Sequence, residues 1–277
     1  MDNRPIGIFD SGLGGLTVVR EIIDQLPNEE IIYFGDTARF PYGPRPISEL
    51  KTFVFEIIDY LLVNDVKFIV IACNSASAAA LEDAQQYYNI PIIGVIEPGA
   101  RAAVRATHCR RIGVIGTQAT IASGSYMSAI KAIDAGIQVY SQACPDLADF
   151  VEKNETTGPR IERSVRWYLD SLLRAGIDSL ILGCTHYPLL SETISKVAGD
   201  WVQLISSAKE TARELKETLT RKGSLRKDNK PPILRFISSG DKEIFRKLGV
   251  RFLGQEIKSV ERVRLPLRER VVGIEKG

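Results

Sequence analysis

Short apolar runs recur along the whole chain: "IGIFD" (6–10), "IIYFGD" (31–36), "FIVIAC" (68–73), "IIGVIE" (92–97), "RIGVIG" (111–116), "IQVYSQ" (137–142), "SLILGC" (179–184), "WVQLIS" (201–206) and "ILRFIS" (233–238). Within most of them the apolar residues are contiguous, the pattern of strands buried on both faces. Between them lie helix patterns such as "GGLTVVREIIDQL", where Leu16, Val19, Ile22, Ile23 and Leu26 recur at three- and four-residue spacing. Strand and helix in alternation predict an α/β fold, with parallel sheet and helices on both faces.

An internal echo divides the chain. "RPIGIFDSG" (4–12) resembles "RRIGVIGTQ" (110–118), and a run ending in cysteine follows each at a similar distance, Cys73 after the first and Cys184 after the second. The echo predicts two pseudo-symmetric parallel-sheet α/β domains with a site in the cleft between them. The first comprises residues 1–97 plus 207–277, the C-terminal segment returning to it, and the second residues 98–206. "RKGSLRKDNKPP" (221–232) interrupts the pattern and reads as a solvated surface loop. Ligands of such sheets gather beyond the carboxyl ends of the strands, which makes Asp10, Asp36, Cys73, Glu97, Gly116 and Cys184 site candidates. If the domains face each other, Cys73 and Cys184 approach one cleft from opposite sides.

Composition excludes several classes of function. Hydrophobic residues make up 44% and charged residues 25% of the 277, the proportions of a folded globular protein. The net charge is +2, and the basic clusters "RKGSLRKDNKPP" and "RVRLPLRER" carry no interleaved aromatics, so no nucleic-acid partner is expected. No apolar stretch approaches the roughly 18 residues of a membrane span, and "MDNRPIGIFD" lacks a signal-peptide core. No membrane partner is expected, and the location expected is cytoplasmic. The four cysteines, 73, 109, 144 and 184, form no C-x-x-C pair and no secreted disulfide framework.

Cys109 and Cys144 are expected to be buried, inert packing residues, although Cys144 stands at a strand end before Pro145 and so near the cleft. Cys73 in "IACNSASA" and Cys184 in "LGCTHYPLL" differ, because hydroxyl and amide side chains flank them that an apolar core would exclude. "FDSGLGGLT" (9–17) is a strand end, a glycine turn and a helix start. It lacks the lysine of a phosphate-binding loop and the dinucleotide spacing, and its backbone N–H groups suit a small anion. Asp10 suits an ammonium group or a proton transfer. In "GDTARFPYGPRP" (35–46), Tyr42 and Gly43 offer a hydroxyl and backbone donors.

Cys184 and His186 supply two metal ligands, but His108 is the only other histidine and no second pair has finger spacing; neither metal nor cofactor is expected. A cysteine hydrolase using His186 as base leaves Cys73 without a role. Two thiols on opposite walls of an anion-accepting cleft meet a different need, removing a proton from one face of a carbon and returning one to the other. A free thiol, with a pKa of about 8.5, is only a few per cent ionised at pH 7, so Asp10 and His186 are candidate proton acceptors. A carboxylate beside a thiol raises its pKa, which assigns Asp10 to proton transfer rather than charge stabilisation.

"GIFDSGLGGLTV", "YFGDTARFPYG", "IACNSASA", "GVIEPGA", "IGTQATI" and "LGCTHYPLL", in this order from residue 6 to about 190, resemble the glutamate racemase family. "FISSGDKEIFRKLGVRFLG" resembles its C-terminal end. The resemblance implies a cofactor-independent, two-base racemase that converts L-glutamate to D-glutamate for peptidoglycan, as a homodimer. It implies that Cys73 takes the α-proton of D-glutamate with help from Asp10, and Cys184 that of L-glutamate with help from His186. Glu152 matches an acid near the second cysteine, and Asp10, Ser11, Tyr42, Gly43, Asn74, Ser75, Thr185 and His186 would hold the substrate. Ser75 stands where the family usually has threonine, and "DLADF" (146–150) replaces an apolar, proline-containing run. The rival readings are an aspartate racemase, a related isomerase or decarboxylase of the same superfamily, or an inactive carboxylate-binding regulator.

Overall fold

The computed structural model describes residues 2–228 and 230–265. In chain order the elements begin with β1 (Ile6–Asp10), α1 (Leu16–Gln25), β2 (Ile31–Gly35), α2 (Ile47–Val63), β3 (Phe68–Ile71), α3 (Asn74–Tyr87), β4 (Ile92–Gly94) and α4 (Ile96–Ala106). They continue with β5 (Arg111–Gly116), α5 (Gln118–Ala122), α6 (Ser125–Ile133), β6 (Gln138–Ala143), α7 (Pro145–Glu152), α8 (Pro159–Arg174) and β7 (Ser179–Gly183). A 3-10 turn (Tyr187–Leu190), α9 (Ser191–Ala198), β8 (Gln203–Ser206), α10 (Ser207–Arg221), β9 (Leu234–Ser238), α11 (Lys242–Leu253) and β10 (Glu261–Arg262) complete the order.

The strands form two sheets, one of order β10-β9-β2-β1-β3-β4 and one of order β6-β5-β7-β8. Every pairing in both is parallel. The expected two-sheet α/β architecture is met. β1, β2 and β3 are buried along their whole length, which is why their sequences are apolar without alternation. After the second sheet is complete, β9 returns to pair with β2, aligning Tyr33 with Phe236. The first sheet is therefore discontinuous in sequence. α10 lies between α1 and α4 on the way back.

Two expectations are corrected here. β4 ends at Gly94, and Glu97 lies exposed in the first turn of α4 rather than at a strand end, so it is no site residue. An acid in a first helical turn complements the helix dipole, and Pro98 is tolerated there because the N–H groups have no intrahelical acceptor. The basic segment 221–232 is not uniformly solvated. Arg226 is buried, with Nη1 donating to the carbonyls of Asn28 at 3.0 Å and Lys230 at 2.9 Å, while its amide donates to Glu29 Oε1 at 2.8 Å. The second oxygen of Glu29 pairs with buried Lys67 at 2.6 Å. Of the other basic cluster, residues 266–270 lie outside the described residues. No described helix is long and apolar enough to cross a membrane.

Candidate active site

A cavity of ≈ 220 Å³ lies where the carboxyl ends of strands from both sheets meet. Ser11 follows β1, Cys73 follows β3, Thr117 follows β5 and Cys184 follows β7, and all four line it. The two thiols, coming from different sheets, thus share one chamber. Cys73 is the N-cap of α3, with the Ala76 amide bonded to its sulfur and its thiol 3.8 Å from Ser11 Oγ. Small residues after it, in "NSASAAA", start the helix close against β3 and leave the sulfur facing the cavity. Cys184 occupies the bend between β7 and the 3-10 turn, with its sulfur 3.9 Å from His186 Nδ1. The other ring nitrogen of His186 lies 2.7 Å from Glu152 Oε1, at the end of α7.

The two thiols have unlike proton neighbours. Asp10 is fully buried, its Oδ2 accepting from the amides of Gly15 at 3.0 Å and Gly12 at 3.3 Å, and its carboxyl is hydrogen-bonded with the Cys73 thiol. A side chain at residue 15 would bring its Cβ within 2.5 Å of Asp10 Cβ, so this close seat requires glycine. Burial raises the Asp10 carboxyl above the ordinary carboxylate range, against the pull of His186 and the two amides. Burial first, and the Asp10 charge second, push the Cys73 thiol well above the ordinary thiol range. Cys73 is thus a proton donor at neutral pH.

On the opposite wall, burial lowers the His186 pKa, but the hydrogen bonds with Cys184 and Glu152 outweigh it and raise it to about 10. His186 is therefore an imidazolium at neutral pH, a donor on both nitrogens. Phe40 and Phe252 pack against its ring, with centroids at 5.7 and 5.4 Å. The arrangement sets Cys73, with its proton, beside a carboxylate on one wall and the sulfur of Cys184 beside an imidazolium on the other.

Of the substrate-binding residues expected, Ser11, Tyr42, Gly43, Asn74, Ser75, Thr185 and His186 line the cavity. Asp10 and Glu152 do not line it; Asp10 stands behind Cys73 and Glu152 behind His186. The Tyr42 hydroxyl is already committed, donating to Asp36, whose other oxygen accepts from Ser239 at 2.8 Å. Asp36 thereby anchors the loop instead of facing a ligand, and Gly116 packs against the Gly183 carbonyl. Cys144, buried, is bonded to the Gln142 carbonyl at 3.6 Å and is not on the cavity wall. Cys109 is exposed, contrary to its expected burial, because it sits in a turn whose amides at 108 and 109 cap the Asp178 carboxylate at 2.6 and 2.7 Å.

Sequence reasoning missed Thr117, whose hydroxyl lies 2.8 Å from that of Ser75, and Asp146 and Asp149, which line the cavity from α7. The internal echo held a signal for the first: it aligns Thr117 with Ser11. Among the described residues no lysine or arginine lines the cavity, and no group of three or more His, Cys, Asp or Glu is placed to hold a metal ion.

The sequence profile of the Asp/Glu/hydantoin racemase family matches residues 6–215, a span that contains every residue lining the cavity. The chain belongs to this family. It is 49% identical over 272 residues to a glutamate racemase of Beutenbergia cavernae, a match that covers 94% of this chain and 93% of that one. The structure of a glutamate racemase from Bacillus anthracis superposes with a TM-score of 0.93 at 47% identity, covering 97% of this chain and all of that one (100%). A Francisella tularensis glutamate racemase in complex with D-glutamate gives a TM-score of 0.90 at 38% identity, covering 95% and 98%. The resemblance read in the sequence is met, and the chain is an isomerase of the racemase family.

Proposed function

We propose that this racemase interconverts L- and D-glutamate with two thiols and no cofactor. The observation that carries this reading is the pairing of Cys73 and Cys184, one from each sheet, on the wall of a single cavity with opposite proton neighbours. The glutamate racemases at 38–49% identity, one of them with D-glutamate bound, support glutamate as the substrate. Cys184 removes the α-proton of L-glutamate, the charge left on Cα spreads into the α-carboxylate, and the Cys73 thiol delivers its proton to the other face. D-glutamate leaves with Cys184 protonated and Cys73 deprotonated, and the reverse reaction uses them in the opposite roles. His186, backed by Glu152, serves protons at Cys184, and Asp10 serves them at Cys73.

Neutral donors hold the substrate: the Asn74 amide, the hydroxyls of Ser11, Ser75 and Thr185, and the backbone at Tyr42 and Gly43. In this reading the chain divides at 97/98 and 206/207 into two domains that close on glutamate, works as a cytoplasmic homodimer, and supplies D-glutamate to peptidoglycan. Turnover of L-glutamate in deuterated water tests the chemistry. D-glutamate should form carrying solvent deuterium at Cα, without added cofactor, while the remaining L-glutamate stays protonated at early times. Return of the original proton in the product would indicate one base swinging between faces, and turnover of aspartate in place of glutamate would replace the substrate.

A further inference from the structure

Asn74, the first residue of α3, is 2% exposed and lines the cavity. Its Oδ1 accepts a hydrogen bond of 2.7 Å from the hydroxyl of Tyr126, a buried residue of α6. Its Nδ2 is buried and has no partner. A primary amide has one accepting and one donating end, and a half-turn about its last bond exchanges them unless a neighbour discriminates. A phenol that donates its proton is such a neighbour, because it binds the oxygen and leaves the NH2 group for the other side. We propose that Tyr126 is a positioning residue that holds the Asn74 amide with its N–H donors aimed at a substrate carboxylate.

Three further observations fit this role. Burial pushes the Tyr126 phenol well above its ordinary range, so it keeps the proton it donates. Ser207, at the start of α10, hydrogen-bonds the same phenol and fixes it from behind. The ring lies against two backbone positions without side chains: a Cβ on Gly183 would come within 3.1 Å of Tyr126 Cε2, and one on Gly99 within 3.4 Å of the hydroxyl. Asn74 follows a strand of the first sheet and Tyr126 a strand of the second, so the donor is aimed only when the two sheets are docked. A buried donor without a partner is a cost to the empty protein that a carboxylate removes.

The proposal rests on the reading of glutamate as substrate. Tyr126→Phe deletes one oxygen and keeps the ring that fills the space. It should raise KM, and the Kd for D-glutamate measured by calorimetry, about 10-fold, the effect of one lost hydrogen bond to a charged group, with kcat changed by less than about 3-fold. In an Asn74→Ala background the same substitution should change the Kd no further, because the amide it orients is gone. A loss in kcat at unchanged KM and Kd, or an equal loss of affinity with and without Asn74, would overturn the proposal. Failure of the unmodified protein to turn over glutamate would instead overturn the substrate reading.

Discussion

His186 and Asp10 separate two thiols that the sequence presents as equivalents. A buried imidazole is ordinarily neutral, since burial disfavours the charge. Here Glu152 at 2.7 Å and the sulfur of Cys184 at 3.9 Å reverse that preference, and the pKa rises to about 10. The consequence for stability has a definite sign. The folded pKa lies above the unfolded value of about 6.5, so the stabilisation is fully present below pH 6.5 and is lost as pH rises towards 10. Thermal denaturation between pH 6.5 and 10 should show a melting temperature that falls with pH, and a flatter profile in His186→Asn. Racemisation from the L side should lose rate along the same alkaline limb. A melting temperature independent of pH over that range would mean that His186 is neutral throughout.

At the level of elements, the glycine turn between β1 and α1 does more than redirect the chain. It seats Asp10 through the amides of residues 12 and 15, and it brings Gly14 against the second half of the cavity. A Cβ on Gly14 would stand 2.6 Å from His186 Nδ1 and closer still to Thr185 Oγ1. Thr17, in the first turn of α1, adds a hydrogen bond of 3.2 Å to the Thr185 carbonyl. The turn therefore sets the position of the Cys184–His186 pair from the opposite sheet. Gly14→Ala should lower kcat by about 10- to 100-fold, the usual result of displacing a catalytic group by about 1 Å, while far-ultraviolet circular dichroism stays unchanged. Activity within about 2-fold of the parent would show that the turn has slack.

For the whole molecule, the segment that carries the chain back to the first sheet is tied at the amino-terminal edge of the strands, away from the cavity. Lys67 and Glu29, with side chains 1% and 2% exposed, pair there at 2.6 Å, and Glu29 also receives the Arg226 amide. Removing one member leaves a buried charge without its partner. Lys67→Met should cost about 3–5 kcal/mol in urea denaturation while kcat at low urea is preserved, since the cavity lies at the other end of β3. The sequence by itself determined the α/β class, the place of nine strands, the pairing of Cys73 with Cys184 and about half of the cavity wall. These are local properties: hydrophobic period reports which faces are buried, and small polar residues after a strand end mark a backbone that faces a ligand. Only the tertiary structure decided which distant group meets each of these residues. Glu152 reaches His186 from 34 residues away, Tyr126 reaches Asn74 from 52, and Tyr42 spends its hydroxyl on Asp36. Arg226 reads as a solvated loop charge until Glu29 and the carbonyl of Asn28 surround it, and Cys109 reads as buried until its turn is placed at the surface. Charge, hydroxyl and thiol are the same in sequence whether buried or solvated, because their state depends on neighbours that the chain brings in only by folding.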